Sequence, residues 1–318
     1  MGKLIYLANV DFTEEQVNEV RDVALSYDVL SFSEPEIDLS EVEILFSAPP
    51  LANKILSLPN HSLKWVQSVS AGVDSFHLAE FKKQGVLLSN TSGLHAPAIA
   101  EHVITMLLTQ LHGVKNWYED KEKHLFNQSA FRVNMLSGMK MLIVGTGHIG
   151  VQLGKLTQAL GVRTYGVNST GHSAENFIQC YSLKNWQSVL SEMDIVVNIL
   201  PLTPTTEKLY NHEVFDKMKD SAIFVNVGRG KSVDEKELIE VLQQKKISFA
   251  ALDVFEKEPL PSDSPLWTLE NVLITPHVSG VVPNFKKNIL QGYFLPNLRS
   301  YLETGKLVIN QVNLDKGY

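Results

Sequence analysis

The sequence predicts an α/β protein built from two doubly wound parallel-sheet domains, with one domain inserted into the other. Strand and helix patterns alternate from Leu4 to Ser89 and start again at Lys140, and a glycine-rich turn at residues 145–150 joins a strand pattern to a helix pattern. Such alternation is typical of parallel sheets covered by helices. The chain has 318 residues, of which 44% are hydrophobic and 20% charged, so it can form two cores and is neither disordered nor fibrous.

The first domain is predicted to begin with a strand at Leu4–Leu7 and a helix after Thr13. Thr13 and Gln16 have the spacing of a capping box at the start of that helix. Three further strands are predicted, at Glu43–Phe46, Trp65–Val69 and Val86–Ser89. A long helix follows, with Pro97 in its first turn. Its apolar face consists of Ile99, Val103, Leu107 and Leu111.

Residues 116–137 are predicted to be irregular. Aromatic side chains lie among the charges of this segment, namely Trp117, Tyr118, Phe126 and Phe131. Two interpretations stay open. The segment is either an arm that packs on a partner subunit or on the other domain, or a surface loop with buried anchors.

A glycine-rich turn opens the inserted domain, in the order Gly145-Thr146-Gly147-His148-Ile149-Gly150. This G-x-G-x-x-G pattern is typical of dinucleotide-binding folds. Gly145 allows the tight turn, Gly147 lets the backbone approach a pyrophosphate, and Gly150 lets the helix pack on the strand. The free N–H groups at the start of the helix favour a phosphate there. An ordinary strand–glycine–helix turn is the alternative, and the flanking strand and helix patterns count against it.

Six strands are predicted in the inserted domain, the number in a full dinucleotide-binding domain. They are Met141–Val144, Arg163–Val167, Asp194–Leu200, Ala222–Val227, Ser248–Val254 and Val272–Thr275. The final helix, at about residues 284–304, contains Pro296, which is expected to kink it. This helix and the tail Leu307–Val312 are predicted to return to the first domain. The predicted boundaries are residues 1–94 and 285–318 for the first domain and 95–284 for the inserted one.

Composition and charge exclude several classes of function. The net charge of -7 gives no electrostatic case for binding nucleic acid or an anionic membrane. The apolar run at the start is too short for a signal peptide, and no later run approaches membrane-spanning length. The single cysteine, Cys180, excludes an intrachain disulfide and fits a reducing cytoplasm. No His/Cys/Asp/Glu cluster has metal-ligand spacing, so no metal is expected.

Several long motifs follow the glycine turn in a fixed order: Asp194–Thr203, Val225–Gly230, Ala251–Leu260 and Thr275–Gly280. In these motifs, and in Ser70–Asp74 of the first domain, the chain closely resembles the D-isomer-specific 2-hydroxyacid dehydrogenase family over nearly its whole length. The resemblance implies a Rossmann cofactor domain inserted into a flavodoxin-like substrate domain. It also implies a homodimer built on the cofactor domain.

Three residues in these motifs have the chemistry that reduction of a 2-oxoacid requires. Arginine polarises the carbonyl and holds the carboxylate with a planar fork. Histidine exchanges a proton near neutral pH, and a neighbouring carboxylate fixes its tautomer. The resemblance implies that Arg229 orients and polarises the substrate, that His277 is the acid/base and that Glu258 is its partner. Backbone N–H groups around Gly72 and Val73 would then hold the substrate carboxylate across an interdomain cleft. The predicted substrate-binding residues are Arg229, Ala71, Gly72 and Val73. Taken singly, each of the three catalytic residues is also compatible with an ordinary loop or turn role.

The predicted cofactor-binding residues begin with the six residues of the glycine turn. The others are Asn168, Ser169, Thr170, Leu200, Pro201, Thr206, Val227, Gly228, Asp253 and Gly280. For Asp253 the resemblance implies a contact with the nicotinamide carboxamide or ribose, and a capping carboxylate is the alternative. His102 is interpreted as a packing residue, and His95 stays open.

The cofactor is predicted to be NADP(H) in preference to NAD(H), with both usable. An NAD-specific fold has a carboxylate at the end of its second strand, where it binds the ribose 2′-OH. Here that strand is followed by Asn168-Ser169-Thr170-Gly171-His172, and no acid occurs before Glu175. Hydrogen bonds from this loop therefore suit a 2′-phosphate, although the loop has no arginine to clamp it.

The substrate is predicted to be a small 2-oxoacid or 2-hydroxyacid of the glyoxylate, hydroxypyruvate or pyruvate type. The region Phe46–Lys54 offers one lysine and no arginine, which counts against a phosphorylated acid. Asn198 and Ser232 depart from the resembled family, which usually has apolar residues there, and local packing is the simplest account. The alternative function is a nicotinamide-sensing, corepressor-like scaffold without turnover, against which the intact set of Arg229, Glu258 and His277 counts.

Overall fold

The computed structural model describes residues 3–32, 37–128 and 133–317. Contacts between Cα atoms divide the chain into two compact units. Unit 1 consists of Met1–His95 and Val282–Tyr318, and unit 2 of Ala96–Val281. No helix in the described part of the chain is long and apolar enough to span a membrane.

A parallel sheet with helices around it forms unit 1. Its strands are β1 (Leu4–Leu7), β2 (Asp28–Ser31), β3 (Val42–Ser47), β4 (Trp65–Ser68) and β5 (Leu87–Ser89). The order β2-β1-β3-β4-β5 is the flavodoxin-like order. Its helices before residue 95 are α1 (Glu14–Val23), α2 (Pro49–Leu56) and α3 (Leu78–Gln84). The predicted capping box of α1 is confirmed, since Thr13 and Gln16 exchange their backbone and side-chain hydrogen bonds.

Unit 2 is built on a larger parallel sheet. Its strands are β6 (Lys140–Val144), β7 (Arg163–Asn168), β8 (Gln179–Ser182), β9 (Ile195–Asn198), β10 (Ile223–Asn226), β11 (Phe249–Leu252) and β12 (Val272–Ile274). Its helices are α4 (Ala96–Leu111), α5 (Val114–Glu122), α6 (His148–Ala159), α7 (His212–Phe215) and α8 (Glu235–Gln243). The order β8-β7-β6-β9-β10-β11-β12 is the Rossmann order with one strand added at the end. The predicted fold class is therefore confirmed.

The prediction of six strands in unit 2 is wrong, because seven are present among the described residues. The missed strand is β8, and the sequence also failed to predict β2 in unit 1. Both lie at the edge of their sheets and none of their residues except Val29 is buried. An edge strand that is half covered lacks the continuous apolar run by which buried parallel strands are recognised.

The prediction of an irregular segment at residues 116–137 is wrong for its first part, which belongs to α5. None of the residues of α5 is buried, so the helix has no apolar periodicity to reveal it. A pair of charges one turn apart, Lys115 and Glu119 at 3.9 Å, favours the helix instead. The rest of the segment has no helix or strand among its described residues, and Phe131 lies outside them.

The last helical region covers one face of the unit 1 sheet. It consists of α9 (Phe285–Ile289), one π-helical turn (Leu290–Phe294) and α10 (Leu295–Thr304). The wider π turn lies directly before Pro296, which has no N–H to bond to the preceding turn. Phe294 stacks on Trp65 at 5.3 Å and meets the edge of Phe46 at 5.4 Å. Beyond α10, Val312 N donates to Leu88 O at 2.8 Å, so the tail pairs with β5.

Candidate active site

The predicted residues of unit 2 follow the carboxyl ends of six strands. The glycine turn follows β6, Asn168 ends β7, Leu200 follows β9, Arg229 follows β10, Asp253 and Glu258 follow β11, and His277 follows β12. All strand pairings in this sheet are parallel. The carboxyl ends of parallel strands lie at one edge of a sheet, where open α/β folds bind ligands. The fold therefore brings these residues to one edge.

The glycine turn has the backbone geometry of a phosphate site. Gly145 has a φ of +116°, which strongly favours glycine, and its N–H donates to Val167 O at 2.9 Å. A Cβ atom on Gly150 would lie 2.0 Å from the Gly145 carbonyl oxygen, so only glycine fits there. A Cβ atom on Gly147 would have no atom within 4 Å. His148 is exposed in the first turn of α6, where helix N–H groups favour an anion.

The loop after β7 is organised by Asn168. The Asn168 side-chain amide donates to Thr146 Oγ1 at 3.1 Å and to the His172 carbonyl at 2.8 Å. Its oxygen accepts from the backbone N–H groups of Thr170 and Gly171. Asn168 was predicted to bind the cofactor in the loop that suits a 2′-phosphate, but both hydrogens of its amide are bound within the protein. The groups that face outward from the loop are Ser169 and the hydroxyl–imidazole pair of Thr170 and His172, at 2.9 Å.

Hydrogen bonds of the Thr206 side chain hold the segment after β9 in shape. Thr206 is buried, and its hydroxyl donates to the Pro201 carbonyl at 2.7 Å and accepts from Thr203 N at 2.8 Å. Thr206 thus shapes the loop in which Leu200 and Pro201 lie. The neighbouring turn packs closely on this loop, since a Cβ atom on Gly228 would lie 2.8 Å from Leu200 O. Glycine at this position is therefore a packing requirement.

Arg229 begins the turn after β10 and is half-buried. Its Nη1 donates to the carbonyl of Gly228 at 2.8 Å, which holds one corner of the guanidinium against its own backbone. Val227, directly before the turn, is buried, and its N–H donates to Asn198 O at 3.1 Å. Arg229 therefore closely follows a strand end whose backbone is hydrogen-bonded to the neighbouring strand.

His277 and Glu258 form a close pair. His277 Nδ1 lies 2.7 Å from Glu258 Oε2, and their side chains are 51% and 36% exposed. The other Glu258 oxygen accepts from Phe255 N at 3.0 Å. Because an ionised carboxylate only accepts hydrogen bonds, Nδ1 carries the hydrogen of this bond and Nε2 is left to exchange a proton.

Asp253 fixes the loop that carries His277. The Asp253 carboxylate is fully buried and accepts from Thr275 Oγ1 at 2.5 Å, Val278 N at 2.9 Å and Ser279 N at 3.0 Å. Burial alone would raise the pKa of this carboxyl, but the bonds from Ser279, Thr275 and Val278 outweigh it and hold the pKa below its ordinary value. These bonds stabilise His277 at a φ of +53°, an unusual conformation for a residue with a side chain. The capping role that the sequence left open for Asp253 is thus present, while its contact with a cofactor stays a prediction. Gly280, half-buried, follows this loop directly.

His102 was interpreted as a packing residue, and it extends this hydrogen-bonded chain. Its Nε2 lies 3.0 Å from Thr275 Oγ1 and 3.8 Å from Asp253 Oδ1. Since the Thr275 hydroxyl gives its one hydrogen to Asp253, His102 Nε2 donates to Thr275. The sequence contained no signal for this contact. His95, whose role was left open, stacks on Phe285 at 6.0 Å in unit 1.

The loop at residues 70–73 of unit 1 has its carbonyl groups bound by side chains. Asn90 Nδ2 donates to Ala71 O at 2.8 Å, and Ser70 Oγ donates to Gly72 O at 3.0 Å. Among the residues that the structure describes, the N–H groups of Ala71, Gly72 and Val73 have no hydrogen-bond partner. Three consecutive free N–H groups are suited to bind an anion. Within the described ranges no group of three or more His, Cys, Asp or Glu side chains is placed to hold a metal ion.

Comparison with known proteins finds members of the family that the sequence resembles. A family model described as D-isomer specific 2-hydroxyacid dehydrogenase, NAD binding domain, matches residues 103–279. Glyoxylate/hydroxypyruvate reductase B of Citrobacter koseri is 32% identical over 98% of this chain and 94% of its own. The crystal structure of phosphoglycerate dehydrogenase from Lactobacillus plantarum is 35% identical, covers 98% of this chain and 100% of that chain, and has a TM-score of 0.58. The D-isomer specific 2-hydroxyacid dehydrogenase from Xanthobacter autotrophicus Py2, in complex with NADPH and MES, is 28% identical, covers 100% and 99%, and has a TM-score of 0.82. These names give no support to a scaffold without turnover.

Proposed function

We propose that this protein, which belongs to the D-isomer specific 2-hydroxyacid dehydrogenase family, reduces a small 2-oxoacid to a D-2-hydroxyacid. Membership of the family makes it an NAD(P)-dependent oxidoreductase that acts on a CH–OH group. The observation that carries the proposal is the 2.7 Å contact between His277 Nδ1 and Glu258 Oε2. The strands before Arg229, Glu258 and His277 are neighbours in one sheet, so all three residues lie at its carboxyl edge.

Each residue is assigned one step of the reduction. The Arg229 guanidinium binds the substrate and polarises its carbonyl with a planar fork of donors. The glycine turn after β6 would hold a reduced nicotinamide cofactor, whose chemistry when bound would be to supply the hydride for the carbonyl carbon. His277 Nε2 donates a proton to the carbonyl oxygen, which becomes the hydroxyl. Glu258 accepts from Nδ1 throughout and so holds the ring in the orientation and tautomer that this step requires.

The decisive test is a steady-state assay with NADPH and NADH against a panel of 2-oxoacids. We expect glyoxylate, hydroxypyruvate or pyruvate to be reduced. The panel should include the phosphorylated acid phosphohydroxypyruvate, because one relative is named for phosphoglycerate. A preference for the phosphorylated acid would contradict the proposed substrate, and a protein that binds NADPH but oxidises it with none of these acids would contradict the proposed function.

For the substrate loop we propose that the N–H groups of Ala71, Gly72 and Val73 bind a carboxylate. The carbonyl groups of Ala71 and Gly72 accept from Asn90 and Ser70, while the N–H groups of all three residues are unbonded within the described structure. Asn90→Ala removes the bond to Ala71 O and is expected to raise the KM for the 2-oxoacid more than it changes kcat. An unchanged KM would contradict this role.

We propose that NADPH is preferred over NADH. No carboxylate ends β7, and the outward groups of the following loop are Ser169, Thr170 and His172, all of which donate to a phosphate. The structural relative from Xanthobacter autotrophicus was solved with NADPH. The test compares kcat/KM for the two cofactors at saturating 2-oxoacid, and a clear preference for NADH would contradict the assignment.

A single substitution sharpens this test. Asn168→Asp keeps the two bonds from Thr170 N and Gly171 N and adds the charge that repels a 2′-phosphate, so we expect the preference to move towards NADH. The matched control is Asn211→Asp, which adds the same charge at the start of α7, where Asn211 accepts from Val214 N. Aspartate serves equally well in that position. An equal change of preference in both variants would mean that net charge alone is responsible.

We propose that the protein is a homodimer. Large apolar side chains are exposed in and after α5: Trp117, Tyr118, Leu125, Phe126, Val133 and Met135. Phe126 alone is 91% exposed, and such a group of apolar side chains marks an interface more often than it marks free surface. Sedimentation should give a dimer, and Phe126→Ser should weaken it. A monomer at all concentrations would contradict the proposal.

We also propose a cytoplasmic location. Cys180 is the only cysteine in the sequence and is a free, partly buried thiol. A chain without disulfides fits a reducing compartment. Cell fractionation with an antibody to the protein tests this, and its recovery from the membrane or extracellular fraction would contradict it.

A further inference from the structure

A buried polar cluster lies beneath the Arg229 turn. It consists of Asn198, Asn226 and Ser232, each at most 1% exposed. Asn198 Nδ2 donates to Asn226 Oδ1 at 2.9 Å and to Ser232 Oγ at 2.7 Å. Ser232 Oγ in turn donates to the carbonyl of Arg229 at 2.5 Å. Both hydrogens of the Asn198 amide and the single hydrogen of the hydroxyl are therefore used.

The remaining bonds of the cluster also end on functional segments. Asn226 Nδ2 donates to Arg229 O at 3.3 Å, and Asn226 Oδ1 accepts from Gly228 N at 3.2 Å. Asn198 Oδ1 accepts from Leu200 N at 3.2 Å. Buried polar groups are costly unless they are bonded, and here each side-chain nitrogen and oxygen of the three residues has at least one partner. The cluster thus fixes the backbone of the Arg229 turn on one side and of the Leu200 segment on the other.

We propose that Asn198 and Ser232 are positioning residues, which hold the Arg229 backbone so that its guanidinium meets the 2-oxoacid at the correct distance. The inference rests on the role proposed for Arg229. Apolar side chains would fill the same space, but they would leave the Arg229 carbonyl without the Ser232 hydroxyl and Leu200 N without its acceptor. Small displacements of a positioned group are expensive, since about 1 Å costs on the order of 10²-fold in rate.

The two residues make separable predictions. Ser232→Ala removes the bond to the Arg229 carbonyl and the acceptor of one Asn198 amide hydrogen, while Leu200 N keeps its acceptor. We therefore expect kcat/KM for the 2-oxoacid to fall about ten-fold, with NADPH affinity unchanged. Asn198→Leu removes the amide donors to Asn226 and Ser232 and the acceptor of Leu200 N, so it should weaken NADPH binding as well. NADPH affinity is measured by calorimetry, independently of turnover.

Stability has to be separated from positioning. Ser232→Thr keeps the hydroxyl but adds a methyl group to a fully buried site, so it should lower Tm while retaining more activity than Ser232→Ala. Thr157→Val is the matched control, because Thr157 is buried, bonds to Thr164 Oγ1 at 2.8 Å and lies at the far end of α6. It should lower Tm without changing kcat/KM. Activities that simply follow Tm across the four variants would overturn the inference.

A readout without turnover keeps the two proposals distinct. Phenylglyoxal modifies arginine side chains, and mass spectrometry gives the rate at Arg229 relative to exposed Arg163. We expect this relative rate to change in Ser232→Ala and to stay at the parental value in Thr157→Val. If the parent reduces no 2-oxoacid, the proposed function fails while this rate still tests the cluster. An equal rate in the parent and Ser232→Ala overturns the positioning role.

Discussion

Arg229→Lys tests the central residue of the proposed site. In the structure Arg229 Nη1 donates to Gly228 O at 2.8 Å, so one donor of the guanidinium is used to hold the group itself. The lysine ammonium has its donors on a single atom and no plane, so it cannot keep this bond and also grip a 2-oxoacid at two points. We therefore expect the variant to fold and to bind NADPH but to lose most of its activity.

The size of the loss follows from the bonds removed. Hydrogen bonds to a charged group contribute about 1.5–3 kcal/mol each. One such bond to the substrate is lost outright, and the other is weakened because the ammonium is no longer held by Gly228. By comparison with donors that stabilise an oxyanion, the total is about 2–4 kcal/mol. This corresponds to a fall of roughly 30- to 1000-fold in kcat/KM.

The assay measures kcat/KM for the preferred 2-oxoacid at saturating NADPH, together with NADPH affinity and Tm. Arg163→Lys is the control, because Arg163 is exposed at the start of β7, at the opposite end of the strands from the proposed site. The reasoning would be refuted if Arg229→Lys kept kcat/KM within about three-fold of the parent, since the planar fork would then be dispensable.

The other residues of the site give three further predictions. His277→Ala should lower kcat on the order of 10²–10⁴-fold. His212→Ala, which breaks a similarly exposed pair with Asp216 at 2.8 Å, should have no such effect. Glu258→Gln should cost less, about 2- to 30-fold, because the pair is half-exposed, and a loss as large as that of His277→Ala would contradict a supporting role. The folded-state pKa of Asp253 is lowered, so its stabilisation is present above the ordinary carboxyl pKa of about 3.9 and is lost as the pH falls through the folded-state value. Asp253→Asn should therefore lower the free energy of unfolding at about pH 7, and the loss should shrink as the pH falls below the ordinary carboxyl pKa. A loss that is independent of pH would contradict this account.

The parts of the fold that could be predicted from sequence are those in which local pattern and burial coincide. Strands such as β9 and β10 are buried at every position, so they read as apolar runs between turns. The edge strands β2 and β8 and the exposed helix α5 lack that pattern, and their structure depends on neighbours that the sequence does not reveal. The π turn before Pro296 was not predicted either, since the proline indicated only a kink in the helix.

In the site, too, some residues could be predicted from local pattern and others could not. Arg229, Glu258 and His277 could be selected because each follows an apolar strand, buried for β10 and β11 and half-buried for β12, in a motif of suitable chemistry. Their catalytic roles stay predictions. The contact between His102 and Thr275 joins residues 173 positions apart, and no local pattern marks it. Asn198 and Ser232 were noticed only as polar residues at apolar positions. The structure shows that β9 pairs with β10 so that Asn198 lies opposite Asn226, and this pairing is the basis of the role proposed for Asn198 and Ser232.

The π turn and α10 have a consequence for the order in which the chain can fold during its synthesis. Strands β1 to β5 leave the ribosome before unit 2, but Phe46 and Trp65 on one face of their sheet are covered by Phe294, which follows unit 2 in the chain. Unit 2 is a single continuous stretch, Ala96–Val281, with apolar clusters of its own. The inserted unit can therefore complete its core while the earlier segment still exposes aromatic surface. Until Phe294 covers it, the aromatic face of β1 to β5 is the kind of exposed apolar surface that promotes aggregation and that chaperones bind.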